Sequence, residues 1–86
     1  MHYVIAAQWL ENFKILVTFD DHVQKTVDLE GQLDGPIFEP LKAVEYFKTV
    51  RLDSDIETIV WDNGANIAPE FLYQIGTTVG VPTPGA

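Results

Sequence analysis

The sequence predicts an α+β domain on antiparallel sheet, in the order β-β-β-α-β-β-α: a three-strand meander, a short helix, a second hairpin and a second short helix. Three observations predict it. Apolar and polar residues alternate through most of the first thirty positions, the period of a half-buried strand. The connectors between these runs are short, and short connections join antiparallel neighbours, because a parallel pair needs a crossover of about a dozen residues or more. Farther on, two segments carry an early proline and apolar residues at helical spacing.

In the first run Tyr3, Ile5, Ala7 and Trp9 share one parity, and Val4, Ala6 and Gln8 the other. Glu11-Asn12 connects it to the second run, where Phe13, Ile15, Val17 and Phe19 alternate with Lys14, Leu16 and Thr18. After Asp20-Asp21-His22, the residues Val23, Val27 and Leu29 alternate with Gln24, Thr26 and Asp28, and Lys25 interrupts the apolar parity. With Val4, Ala6 and Leu16 on the second parity, both faces of the meander carry apolar residues. One face is expected to pack on the helices and the other to seek a partner chain, a homodimer being one form of this.

Gly31, Gly35 and Pro36 mark a loop or single helical turn around Leu33. Glu39-Pro40 then starts a helix of about two turns, with Leu41, Val44 and Phe47 on one face and Lys42, Glu45 and Lys48 on the other. Such a helix persists only when docked. Thr49 to Leu52 and Ile56 to Trp61 form a second hairpin through Asp53-Ser54-Asp55. Asn63-Gly64 is the strongest turn signal in the chain, since both residue types accept positive φ, and Ala65-Asn66-Ile67 is placed to pair back on the preceding strand. Ala68-Pro69-Glu70 opens the second helix, whose stripe is Phe71, Leu72 and Ile75 and whose stop is Gly76. A single domain over 1–76 is therefore expected, followed by a flexible tail over 77–86 that holds two Gly and two Pro.

Composition narrows the function. The 86 residues are 47% hydrophobic and 12% aromatic, which excludes a disordered acidic tail. Thirteen carboxylates against five Lys and Arg give a net charge of −8, and phosphate binding runs on Lys and Arg, so nucleic acid is not the expected partner. No apolar run is long enough to span a membrane, and Met1-His2-Tyr3 does not open a secretory signal, so the expected location is cytoplasmic. The absence of cysteine removes disulfides and thiolate metal sites.

Trp61-Asp62-Asn63-Gly64-Ala65-Asn66 is the densest set of polar groups beside an aromatic. Trp61, Asp62, Asn63 and Asn66 are the candidate binding residues, able to grip a ligand or partner backbone. The competing reading is purely structural: Asn-Gly makes the turn and Trp61 enters the core. Asp53-Ser54-Asp55-Ile56-Glu57 has the alternating acids of a calcium loop, but its sixth and twelfth positions are Thr58 and Gly64, where Gly and Glu are required. Asp20-Asp21-His22 could offer oxygens and an imidazole to a divalent ion, yet adjacent residues on a hairpin tip rarely converge, and His2 lies near the start of the chain. Ser54 is the one serine and sits among acids. The glycines fit no phosphate fingerprint, and Lys42, Lys48 and Arg51 are diluted by Glu45 and Asp53. No catalytic residue, metal or cofactor is assigned. The alternative is a small metal-dependent hydrolase or other enzyme using the turn carboxylates, with Asp20, Asp21, His22 or Asp62 as its residues.

An ordered set of segments also resembles a known bacterial family. They are Phe19-Asp20-Asp21, Asp28-Leu29, Gly35-Pro36-Ile37-Phe38-Glu39-Pro40-Leu41 and Phe47-Lys48-Thr49-Val50, then Thr58-Ile59-Val60-Trp61, Asn63-Gly64-Ala65-Asn66 and Ala68-Pro69-Glu70-Phe71-Leu72-Tyr73. The chain resembles the family called domain of unknown function 2442 over about Leu10 to Tyr73. That family has no established activity. Its members are often encoded beside another small protein, which has suggested toxin–antitoxin pairs. The resemblance thus implies an antitoxin-like interaction module whose partner is a small protein encoded nearby, and the acid excess of this chain makes a basic partner the expected one. This chain departs from the family pattern at His22 and Glu57, where relatives carry Gly, at Asp62, where Pro is common, and at Asn66, where Asp is common. The change at Asn66 removes a carboxylate from the candidate site.

Overall fold

The computed structural model describes residues 1–79. Its strands are β1 (Val4–Glu11), β2 (Lys14–Phe19), β3 (Gln24–Asp28), β4 (Arg51–Asp53), β5 (Thr58–Val60), β6 (Asn66–Ile67) and β7 (Thr77–Thr78). Between β3 and β4 lie a 3₁₀ helix (Pro36–Lys42) and α1 (Val44–Phe47), and α2 (Pro69–Ile75) precedes β7. The class is α+β with antiparallel pairing throughout, as the alternation and short connectors predict.

The strands divide into two sheets: a four-stranded one in the order β1-β2-β3-β7 and a three-stranded one in the order β4-β5-β6. Ile15, Val17, Phe19 and Val27 from the larger sheet meet Ile59, Trp61 and Ile67 from the smaller sheet and its turn. Leu41, Phe47 and Leu72 from the helical segments close the same core. Thr58 is the single buried polar residue of the core among the described residues, and its hydroxyl donates to the Ile67 carbonyl across the small sheet.

A register shift in β1 corrects the reading of its faces. Val4 pairs with Phe19 but Ala6 pairs with Thr18, so Ile5 is an extra residue and the strand changes parity there. Val4 therefore points inward together with Ala7 and Trp9, which pair with Val17 and Ile15. The opposite face is left with Ala6, Gln8, Leu16, Thr18, Gln24 and Thr26. Among these paired positions only Ala6 and Leu16 are apolar, and the exposed apolar side chains of β1, Ile5 and Leu10, stand at its two register shifts.

The first helix also differs from expectation. Pro36 sits early in the 3₁₀ turn and Pro40 inside it, and Ala43 is extended at φ −87°, ψ 119°, so the expected two-turn helix is cut in two. The break falls at Ala43, whose extended backbone ends the 3₁₀ turn and serves as the N-cap of α1. Leu41 and Phe47 are nonetheless both buried, which is what their spacing requires.

At the far end, Thr77 and Thr78 pair with Thr26 and Lys25, so the boundary expected after Gly76 falls immediately before a strand. The remainder of the expected tail, residues 80–86, lies outside the described residues. Gly76 permits this pairing, since a Cβ there would lie 2.8 Å from the Lys25 Cβ and 2.9 Å from the Leu72 carbonyl oxygen. Among the described residues no helix is long and apolar enough to cross a membrane.

Candidate functional site

The four candidate residues from Trp61 to Asn66 fall into two roles. Trp61 is 1% exposed, its indole N–H donates to the Phe47 carbonyl at 2.9 Å, and its ring packs on Phe47 with centroids 5.6 Å apart. It is core, and burial puts it out of a ligand's reach. Asn63 is spent on the turn: its side-chain Oδ1 accepts from the Ala65 N–H at 3.0 Å, and its side-chain Nδ2 donates to the Ile37 carbonyl at 2.8 Å. Gly64 completes that turn at φ +91°, a conformation a side chain would strain. Asp62 and Asn66 are exposed, Asp62 3.3 Å from the Arg51 Nε and Asn66 in β6 opposite Val60.

Asp20, Asp21 and His22 do not converge. Asp20 accepts from the Tyr3 N–H at 3.0 Å, and Asp21 accepts from the Val23 N–H at 3.0 Å and the Tyr73 hydroxyl at 2.8 Å. His22 occupies the left-handed region at φ 69° and its N–H closes the turn on the Phe19 carbonyl. Among the described residues no three His, Asp or Glu side chains gather as metal ligands would.

What the fold does assemble was invisible in the sequence. His2 stacks on Tyr73 with ring centroids 3.6 Å apart. Its Nδ1 lies 3.0 Å from the Glu70 carboxylate, its backbone N–H donates to the same group, and its Nε2 lies 3.7 Å from Asp21. On the other side of Tyr73, the Lys25 ammonium sits 3.9 Å from the ring centroid and donates to the Tyr73 carbonyl at 2.7 Å. Residues about fifty to seventy positions apart thus clamp the start of the chain to α2. No local pattern could reveal such a contact.

The clamp's titrations fit a structural role. The Val23 N–H and the Tyr73 hydroxyl hold the Asp21 carboxyl below the usual range, and the His2 ring and backbone N–H do the same for Glu70. Donating to Asp21 raises the Tyr73 phenol above its ordinary value. A general acid or base works best with its pKa moved toward operating pH, and all three move away from neutrality.

The surface charge has a definite arrangement. Four of the five basic side chains pair with carboxylates: Lys14 with Glu11 at 3.9 Å, Lys42 with Glu39 at 2.9 Å, Lys48 with Glu45 at 2.7 Å and Arg51 with Asp62 at 3.3 Å. The fifth, Lys25, is held by Tyr73. Asp28 and Asp53 accept from the backbone N–H groups of Glu30 and Asp55. The carboxylates of Glu30, Asp34, Asp55 and Glu57 are left without a partner among the described residues.

In comparison with known proteins, the family model described as "Protein of unknown function (DUF2442)" matches residues 4–78. No curated protein and no solved structure matches the chain. The matched span begins at β1 and runs through β7, taking in both sheets, the buried Trp61 and the clamped helix α2. The chain belongs to this family of proteins of unknown function.

Proposed function

We propose that this chain is a non-enzymatic interaction module that binds a basic protein, acting as the antitoxin-like partner of a small basic protein encoded nearby. The observation that carries this reading is the internal commitment of every Lys and Arg side chain, which leaves Glu30, Asp34, Asp55 and Glu57 without counter-charges. A net charge of −8 on so small a domain creates a field that steers a basic partner and repels a second acidic copy. Two of those carboxylates flank Ile56, which is 50% exposed at the β4–β5 tip, so an apolar contact stands between charges there. Contacts of that mixed kind suit a protein interface.

Electrostatics supports association more than an apolar face does, because the paired positions on the outer side of the larger sheet are mostly polar. Co-expression of the chain with the product of the neighbouring gene, followed by pull-down at low salt, tests the proposal. The partner is expected to co-purify at low salt and to be lost at high salt. A partner that never co-purifies at low salt refutes it.

A further inference from the structure

A cleft of about 300 Å³ lies beside the turn that follows β3, lined by Phe13, Glu30, Gly31, Leu33, Asp34 and Lys42. Its walls are held by the backbone. The Leu29 N–H donates to the Phe13 carbonyl at 2.8 Å, fastening the turn to the β1–β2 connection. The Gln32 N–H donates to the Leu29 carbonyl at 3.0 Å, and Gly31 stands at φ +81°, the sign a type II turn demands at its third residue. Leu29 and Leu33 are both buried and anchor the two ends of this turn. The Phe13 ring is set edge-on against Phe47, with centroids 5.2 Å apart, so the aromatic wall is in place before any ligand arrives.

The charges at this cleft are unequal. Glu30 and Asp34 have no partner among the described residues, whereas the Lys42 ammonium is drawn to Glu39 at 2.9 Å. An aromatic and aliphatic wall beside unpaired carboxylates suits a planar cation on an apolar stem. The stem lies on Phe13 and Leu33 while the guanidinium meets a carboxylate through paired N–H donors. An ammonium is more strongly hydrated and has no fork, so it gains less at such a place. The geometry points to this cleft as the binding site for an arginine side chain of a basic protein segment. The inference rests on the interaction reading above and says where that partner's anchor enters.

The test is an NMR titration of the whole chain with acetyl-Leu-Arg-Leu-amide, against the same peptide carrying citrulline, the uncharged isostere, or lysine. Shifts are expected at Phe13, Glu30 to Asp34 and Lys42. Glu30→Gln with Asp34→Asn is expected to weaken the arginine peptide about tenfold or more, and citrulline to do the same, with lysine intermediate. Glu11→Gln with Glu45→Gln, which removes equal charge elsewhere, is expected to stay within about twofold. Equal weakening by both double variants, equal binding of the citrulline peptide, or shifts spread over the whole acidic surface overturns the site. If the neighbouring gene's product binds and the Glu30/Asp34 variant leaves its affinity unchanged, this site falls and the broader reading stands. If the arginine peptide binds as described and that product does not, only the choice of partner falls.

Discussion

Replacing Trp61 by Phe tests whether the aromatic of the Asn63-Gly64 segment is core. The substitution deletes the indole N–H that donates to the Phe47 carbonyl at 2.9 Å. That carbonyl also accepts from the Val50 N–H at 3.1 Å, so it is not orphaned and the hydrogen-bond loss stays near ~1 kcal/mol. The smaller ring also removes about two carbons from a site that is 1% exposed, at ~0.8 kcal/mol each, with a cavity contribution where the walls fail to close. The sum is a loss of about 2–3 kcal/mol. A domain of this length has a total stability of only about 4–13 kcal/mol, so the loss is a large fraction of it. Urea unfolding read by circular dichroism and by the fluorescence of the remaining Trp9 should show a lower midpoint at unchanged slope. The thermal midpoint should fall by roughly 10–20 °C. A loss below about 0.5 kcal/mol with intact folding would refute the core assignment.

Four other expectations follow from the backbone and the clamp. His22 and Glu57 stand at φ 69° and 57°, so His22→Gly and Glu57→Gly should each raise stability by about 0.5–1 kcal/mol in chemical denaturation. Gly76→Ala should cost about 1–3 kcal/mol through the clash with Lys25 and should weaken amide protection in β7, whereas Gly64→Ala should cost about 1 kcal/mol through φ alone. Asp21 and Glu70 have lowered carboxyl pKa values, so their stabilising contribution is complete above the ordinary carboxylate range and is lost as pH falls through their folded values. The thermal midpoint should therefore drop on acidification below about pH 4, and Glu70→Gln should flatten that drop. The Tyr73 phenol is raised, so its contribution persists below about pH 10 and is lost above it, a loss Tyr73→Phe should abolish.

Most of the strand pattern was legible because period-2 alternation reports a half-buried sheet directly, and β2 follows it without interruption, while β3 keeps it only in part because Lys25 breaks the parity. The Asn63-Gly64 turn and the return of Asn66 and Ile67 onto β5 were legible for the same local reason. The division into two sheets was not. It depends on how β1 meets the second hairpin, where the Val4 N–H donates to the Glu57 carbonyl across more than fifty residues. The bulge at Ile5 was equally hidden, since one inserted residue reverses which parity is buried while the sequence still reads as a smooth alternation. For the candidate residues, the turn chemistry of Asn63 and Gly64 could be read locally, but the burial of Trp61 depends on Phe47, which lies on a different element. The placement of His2 was missed because a residue at the start of a chain is ordered only by partners it finds in space, here Tyr73 and Glu70. Pairing of the charges also had to come from the fold, and it separates Glu30, Asp34, Asp55 and Glu57 from nine carboxylates already engaged.

The interaction reading is tested most directly by isothermal titration of the purified chain with the purified basic product of its neighbouring gene, at about 50 mM and about 500 mM salt, where the screening length falls to roughly a third. The account predicts saturable binding at low salt and a dissociation constant at least tenfold weaker at high salt. Absence of heat at low salt, or an affinity that salt does not change, would contradict it.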